Sequence, residues 1–279
     1  MQGQTIVDLH IHSYCSDGTM SPEEILNEAK KNHAEIIAIT DHDVLEGSIS
    51  LVELCAHEDI LCIPGVEIDS LFDGLNVHIL GYGIDLFDEN FMTFVKHCRY
   101  CLDEGSVRLI GKMETSIPSV SLKDYTDFQY DRKLGGWKAL HYFYAKGLTG
   151  FIKEGIKLYP EYGILHTDFN YPSVDEVCRE IKKAGGVPIL AHPGEVIDPS
   201  NHQLFIRKLE KLINLGIEGI ECFYPTHSLD ITEACLNVCR RNHLLITSGS
   251  DCHGSFGKAK IGQMQITLDK LNLGSLISV

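Results

Sequence analysis

Asp8-Leu9-His10-Ile11-His12, continued by Ser16-Asp17-Gly18, is the stretch from which the architecture can be read. Side chains at alternate positions of a strand point the same way, so His10 and His12 present two imidazoles to one volume, and Asp17 can fold back toward them from the following loop. Residues 5–10, read as a buried parallel strand, are followed by Ser21-Pro22-Glu23-Glu24, a helix start with Ser21 as N-cap, Pro22 in the first turn and two carboxylates at the positive helix end. Ile25, Leu26 and Ala29 supply the apolar stripe of that helix. Strand, chemistry-bearing loop, helix: this is one βα unit.

The unit recurs along the chain. Residues 36–40 form a β-branched run leading into Asp41-His42-Asp43, residues 61–68 end in Val66-Glu67-Ile68, and residues 77–82 carry His78. Later, residues 187–191 run into His192-Pro193-Gly194, 219–223 into Tyr224-Pro225-Thr226-His227, and 244–248 into Gly249-Ser250-Asp251-Cys252-His253. Seven strands, most followed by helices, predict an α/β chain closing as a distorted parallel (β/α) TIM-like barrel, with polar side chains at the strand ends where such barrels place their chemistry. From 88 to 172 the rhythm stops and aromatic, helix-compatible sequence takes over, with a helix expected over 88–104 and two more over 137–158. This predicts an inserted helical cap at 88–172, with 1–87 and 173–279 forming the barrel.

Composition narrows the partners. A chain of 279 residues with 44% hydrophobic content can bury a substantial core, and a formal charge of -15 argues against long nucleic acid or an anionic membrane surface. Residues 1–5 are polar and predict no secretory segment, and no apolar run has the length of a bilayer span. Ten cysteines scattered without a disulfide framework fit a reducing, cytoplasmic setting. Cys98-x-x-Cys101 falls within one expected helix and reads as packed thiols.

Six strand ends carry His10, His12, Asp17, His42, Glu67, His78, His192, Asp251 and His253. Nine nitrogen and oxygen donors converging on one barrel face suit three divalent cations, and Glu67, with two oxygens, suits a bridge between two of them. The motifs Asp8-Leu9-His10-Ile11-His12, Thr40-Asp41-His42-Asp43, Gly65-Val66-Glu67, Val77-His78-Ile79-Leu80, Ala191-His192-Pro193 and Ser250-Asp251-Cys252-His253 together resemble the PHP family, the polymerase and histidinol phosphatase superfamily. The resemblance implies a distorted seven-stranded barrel with a trinuclear manganese, iron or zinc centre. It assigns His10, His12, Glu67 and Asp251 to one metal, Glu67, His78 and His192 to a second, and Asp17, His42 and His253 to a third. Asp17 stands where the histidinol-phosphatase branch tends to have histidine, which points to the branch of small-nucleotide phosphatases and RNA-processing nucleases. A hard oxygen ligand there also leans toward manganese.

The expected reaction is hydrolysis of a phosphate monoester of a small nucleotide, such as a nucleotide 3',5'-bisphosphate, by a hydroxide bridging the metals. Glu67 and Asp251 are the expected catalytic residues, Asp251 accepting or relaying the water's proton. Arg99, Arg108 and Arg132, with Lys133 and Lys138, are candidate phosphate contacts from the cap, and His227 a candidate general acid or phosphate contact. Asp41 and Asp43 are expected to orient ligands or to cap the following helix rather than bind metal. The competing readings are a 5'-3' exonuclease on short oligonucleotides, a histidinol phosphate phosphatase, and a barrel that binds metal without catalysis.

Overall fold

Alternating apolar strands and stripe-bearing helices produce two sheets rather than one continuous ladder. A computed structural model describes residues 5–277, so the first four residues of the polar start lie outside the described residues. β1 (Ile6–Ile11), β2 (Ala34–Ile39) and β3 (Leu61–Cys62) form a parallel three-stranded sheet. β4 (Gly65–Phe72), β5 (Leu75–Tyr82), β6 (Val187–Leu190), β7 (Gly219–Phe223) and β8 (Leu245–Ser248) form a second sheet in that order. Single parallel bridges, Ile11 to Cys252 and His42 to Glu67, join the two sheets. Val7, Leu9, Ile36 and Ala38 of the first sheet share one apolar cluster with Leu80, Tyr82 and Ile189 of the second, so side chains from both sheets fill the space between them.

This corrects the expected distorted parallel barrel in two places. The strand expected over 61–68 is broken into β3 and β4 around Ile63-Pro64, where proline has no N–H to give a ladder. β5 then runs antiparallel to β4 and also to β6. The cause is the connection: β4 and β5 are joined by Asp73-Gly74 alone, both at positive φ (50° and 79°), and two residues can make a hairpin but not the long crossover that a parallel pair needs. Asp-Gly between apolar alternations is a hairpin signal that was present in the sequence.

The helices are α1 (Pro22–Lys31), α2 (Glu46–Cys55), α3 (Glu89–Glu114), α4 (Leu122–Asp127), α5 (Lys138–Ala145), α6 (Leu158–Glu161), α7 (Val174–Lys183), α8 (Pro193–Val196), α9 (His202–Asn214) and α10 (Leu229–Asn242). In α1 the expected start is a capping box, Ser21 Oγ accepting from the Glu24 N–H and Glu24 from the Ser21 N–H, and Ile25, Leu26 and Ala29 are buried against β1 and β2.

The reversal of β5 sets the path of the long segment that follows. Tyr82 pairs with Val187, so the chain leaves and re-enters the sheet at one end, while His78 and Ala191 lie toward the other, the Ala191 N–H donating to the His78 carbonyl. α3, 26 residues and about 39 Å long, opens that segment. Its first half gives Phe91, Val95 and Cys98 to the core built on the five-stranded sheet. Its second half gives Cys101, Leu109, Ile110 and Met113 to a separate aromatic core with Tyr142, Phe143, Tyr159 and Phe169. α3 therefore runs ten residues past the expected end at 104. Gly105, which reads as a helix breaker, is a packing site: a Cβ there would lie 2.2 Å from the Phe169 ring.

Candidate metal centre

Each expected ligand is delivered by a strand or by the turn after one. His10 projects from β1 and His12 from just beyond it, His42 follows β2, Glu67 is in β4, His78 in β5, His192 follows β6, and Asp251 and His253 follow β8. Asp17 returns on a loop held by Asp41, which accepts from the Ser13 N–H (2.7 Å), Ser13 Oγ (2.6 Å) and Ser16 Oγ (2.6 Å). His192 (φ 24°) and Asp251 (φ 54°) have left-handed backbones, which residues with a Cβ adopt at a cost and which cluster at functional sites.

All nine side chains meet. Glu67 is fully buried at the centre. Its Oε2 lies 3.1 Å from His10 Nε2, 3.2 Å from His12 Nε2 and 3.3 Å from His42 Nε2, and its Oε1 lies 3.0 Å from His78 Nδ1 and 3.1 Å from His192 Nε2. Asp251 Oδ1 is 3.1 Å from His12 Nε2, and Asp17 Oδ2 is 3.1 Å from His253 Nε2. Ligand atoms within 4.8 Å of one another form the groups His10, His12, Glu67, Asp251; Glu67, His78, His192; and His12, Asp17, His42, His253, with His42, Asp69, His78 as a fourth.

The donor set fits cations. His12 Nδ1, His42 Nδ1 and His192 Nδ1 are buried without a hydrogen-bond partner, and His10 Nε2 faces His12 Nε2 at 3.1 Å. Five ring nitrogens packed around the two oxygens of Glu67 form the kind of donor convergence that a divalent ion satisfies. Burial opposes the charge on Glu67, yet His42, His10 and His78 hold its carboxyl well below the usual range. For Asp251, burial is likewise outweighed, by His10, His12 and His253.

The cluster forms one wall of a cavity of about 510 Å³. Asp17, His42, Asp69 and His78 line it from the strand ends, and Trp137, Tyr159, Phe169 and Tyr171 line it from the segment at 88–172. The Tyr159 hydroxyl receives the Trp137 Nε1–H at 2.9 Å and bonds Ser106 Oγ at 2.8 Å, while Phe169 and Tyr171 stack at 5.1 Å.

Among the expected phosphate contacts, Arg99 lines this cavity, its guanidinium 3.7 Å from Asp103. Arg108 is turned elsewhere, donating to the Asp168 carbonyl and, at 3.4 Å, to Glu104, on a separate surface depression. Arg132 and Lys133 are exposed on a short turn, and Lys138 donates to the Thr126 carbonyl at 2.9 Å over the Tyr125 ring. His227 also departs from expectation: Nδ1–H donates to the Cys222 carbonyl and Nε2 accepts from the Gly194 N–H, both at 3.1 Å, so its ring ties two loops together. Cys98 and Cys101 are free and buried in different cores, whereas Cys55 and Cys62 form a disulfide that the sequence reading did not anticipate.

Four participants were not expected. Glu221 bonds His10, Asp69 Oδ1 lies 3.1 Å from His78 Nε2, the Tyr224 hydroxyl donates to Asp251 Oδ2 at 2.7 Å, and Lys157 stands with Arg99 on the cavity wall. Glu221 had a readable signal: it is a single carboxylate inside an apolar strand, and such groups persist where they are paired.

A buried carboxylate ringed by imidazoles at the junction of two sheets, open to a cavity, defines a metal-dependent phosphoester hydrolase once its relatives are considered. The PHP domain model matches residues 8–186, and the chain belongs to the PHP family. It is 28% identical to the phosphoribosyl 1,2-cyclic phosphate 1,2-diphosphodiesterase of Eggerthella lenta, over 91% of this chain and 96% of that one. It is 26% identical to the 3',5'-nucleoside bisphosphate phosphatase of Chromobacterium violaceum (88% and 87%), and 27% identical to a 5'-3' exoribonuclease of Haemophilus influenzae (92% and 93%). Among solved structures, an amidohydrolase from Chromobacterium violaceum with bound sulfate and no metal superposes with a TM-score of 0.74 at 25% identity, over 93% of this chain and 90% of that one. None of the helices among the described residues is long and apolar enough to cross a membrane.

Proposed function

We propose that the chain hydrolyses a phosphate monoester of a small nucleotide, a nucleotide 3',5'-bisphosphate being the leading candidate. On this reading His10, His12, Glu67 and Asp251, then Glu67, His78 and His192, then Asp17, His42 and His253 hold three divalent cations. Manganese is favoured by the oxygen donor at Asp17, with iron and zinc also suited to the imidazoles. Bound there, such cations lower the pKa of water and draw off charge from phosphoryl oxygens. The protein's own part is to keep Glu67 and Asp251 ionised, to offer Asp251 as acceptor or relay for the water's proton, and to bring Arg99 to the phosphate as a bidentate cation. Residues 88–172 act as a cap that supplies the leaving-group pocket, over two sheets that together serve as a distorted seven-stranded barrel in which β3 and β4 count as one broken strand. Eight of the ten cysteines are free, as a reducing, cytoplasmic setting would leave them, and the Cys55–Cys62 disulfide is the exception to that reading.

The cavity carries the choice of substrate. About 510 Å³ falls within the range of small-molecule sites, and its aromatic wall offers flat faces on which a base can stack. Manganese-dependent turnover of a length series, from a nucleoside 3',5'-bisphosphate to short RNA, tests this. The expected result is highest kcat/KM for the mononucleotide. Rates that climb with length favour the exonuclease reading instead, and histidinol phosphate turned over as well as nucleotide favours the third.

A further inference from the structure

β7 was expected to contribute no ligand, yet it carries the one fully buried carboxylate beneath the cluster that bonds two of its histidines. Glu221 Oε1 lies 3.0 Å from His10 Nδ1, and its Oε2 accepts the backbone N–H of His192 at 2.9 Å. Both residues are almost wholly removed from solvent. Among the described residues Glu221 has no lysine or arginine partner; its one ion-pair contact is the His10 ring. A buried carboxylate so placed is costly unless positive charge lies close by, and that charge can reach it only on the His10 ring or on a cation that the ring holds. The space is reserved for this arrangement: a Cβ at Gly249 would lie 2.1 Å from His10 Cβ and 2.5 Å from Glu221 Oε1.

We infer that Glu221 is a positioning residue of the metal centre: its carboxylate fixes the tautomer of His10 and clamps the left-handed turn at His192, holding both histidines against Glu67. A carboxylate can only accept, so His10 Nδ1 bears the proton and Nε2 presents a lone pair toward Glu67 and Asp251. Histidine ligands commonly give their second nitrogen to such a partner, which fixes the ring and raises its basicity. The second oxygen extends the same hold to His192. Its backbone at φ 24° would otherwise relax, and His227 fixes the same turn two residues further on through the Gly194 N–H. One side chain on β7 thereby couples a histidine from each of two ligand groups that share Glu67.

This inference rests on the metal reading above, and manganese binding by the whole chain separates the two. Metal-stripped wild-type and Glu221→Gln proteins are titrated with manganese(II) against a competing chelator, and bound metal is counted after dialysis. A glutamine keeps the volume but cannot accept from both donors, because its amide nitrogen must face one of them. The expected result is manganese binding weakened roughly 10- to 100-fold, with the metal-free variant still folded by circular dichroism. Equal affinity in the two proteins overturns the inference alone, whereas a wild-type protein that takes up no manganese overturns the metal reading and the inference together. Should the variant fail to fold, nitrogen-15 NMR of the zinc-loaded wild-type protein decides: a proton on His10 Nδ1 supports the assignment, and a proton on Nε2 overturns it.

Discussion

Two walls of one cavity are built on opposite terms. The strand-end wall is polar, buried and over-determined: Glu67 faces five imidazoles within 3.3 Å, and its flanking groups are held in turn by Asp41, Asp69, Glu221 and Tyr224. The other side, from residues 99–171, sets four aromatic rings among aliphatic side chains, Arg99 and Lys157, with the rings fixed by packing and by the bonds at the Tyr159 hydroxyl. On the function proposed above, chemistry that must place charge to within a fraction of an ångström sits at the strand ends, and recognition of the leaving group falls to side chains of residues 88–172. A change on the first wall should therefore act on every phosphate ester alike, and a change on the second on one class of leaving group.

Glu67→Gln is the strongest test. Removing the central charge should lower kcat by roughly 10³-fold or more, as expected when preorganised electrostatic stabilisation is lost, for nucleotide and p-nitrophenyl phosphate equally. Full activity, or a loss confined to nucleotides, would break the division between the walls.

The next largest effect is a dependence of metal affinity on pH. Burial pushes the His12 imidazole toward neutrality, but Asp251, Glu67 and Asp17 outweigh it and raise its pKa from 6.5 to about 10 in the metal-free protein. Its protonated form thus adds to metal-free stability below pH 6.5, and this contribution is lost as pH rises through about 10. A ligand must be neutral, so manganese uptake displaces the proton, and apparent affinity should rise with pH by about tenfold per unit for each proton released. Calorimetry in buffers of different ionisation enthalpy measures that release, and affinity flat from pH 6.5 to 8 would contradict it.

Trp137→Ala should act least and most selectively. Losing one stacking face costs roughly 1 kcal/mol, about fivefold, at the low end for base stacking. The loss should appear in KM for nucleotides and be absent for ribose 5-phosphate, which has no base. An equal loss on both substrates would mean that the ring only supports the cap.

Much of this was legible in advance because it is local. His10 and His12 share a side by strand alternation, Ser21 and Glu24 cap α1, and the same placement of polar residues at strand ends recurs down the chain. Residues 88–172 were harder to read. Gly105 stands in the middle of a helix where Phe169, more than sixty residues away, needs the space of its missing side chain. Arg99 and Arg108 lie nine residues apart on α3, yet one lines the cavity and the other is bound to Asp168 and Glu104. Nothing in their neighbouring residues distinguishes them.

The sequence by itself determined which donor types gather and at which strand ends, because periodicity and residue chemistry need only a few neighbouring positions. Tertiary structure decided the two-sheet closure through single bridges, the support given by Glu221 on β7 and by Tyr224 just after it, and that Arg99 and Lys157 meet the cavity while Arg108 does not. Those depend on contacts between residues distant in the chain, whose geometry exists only after helices and sheets have packed.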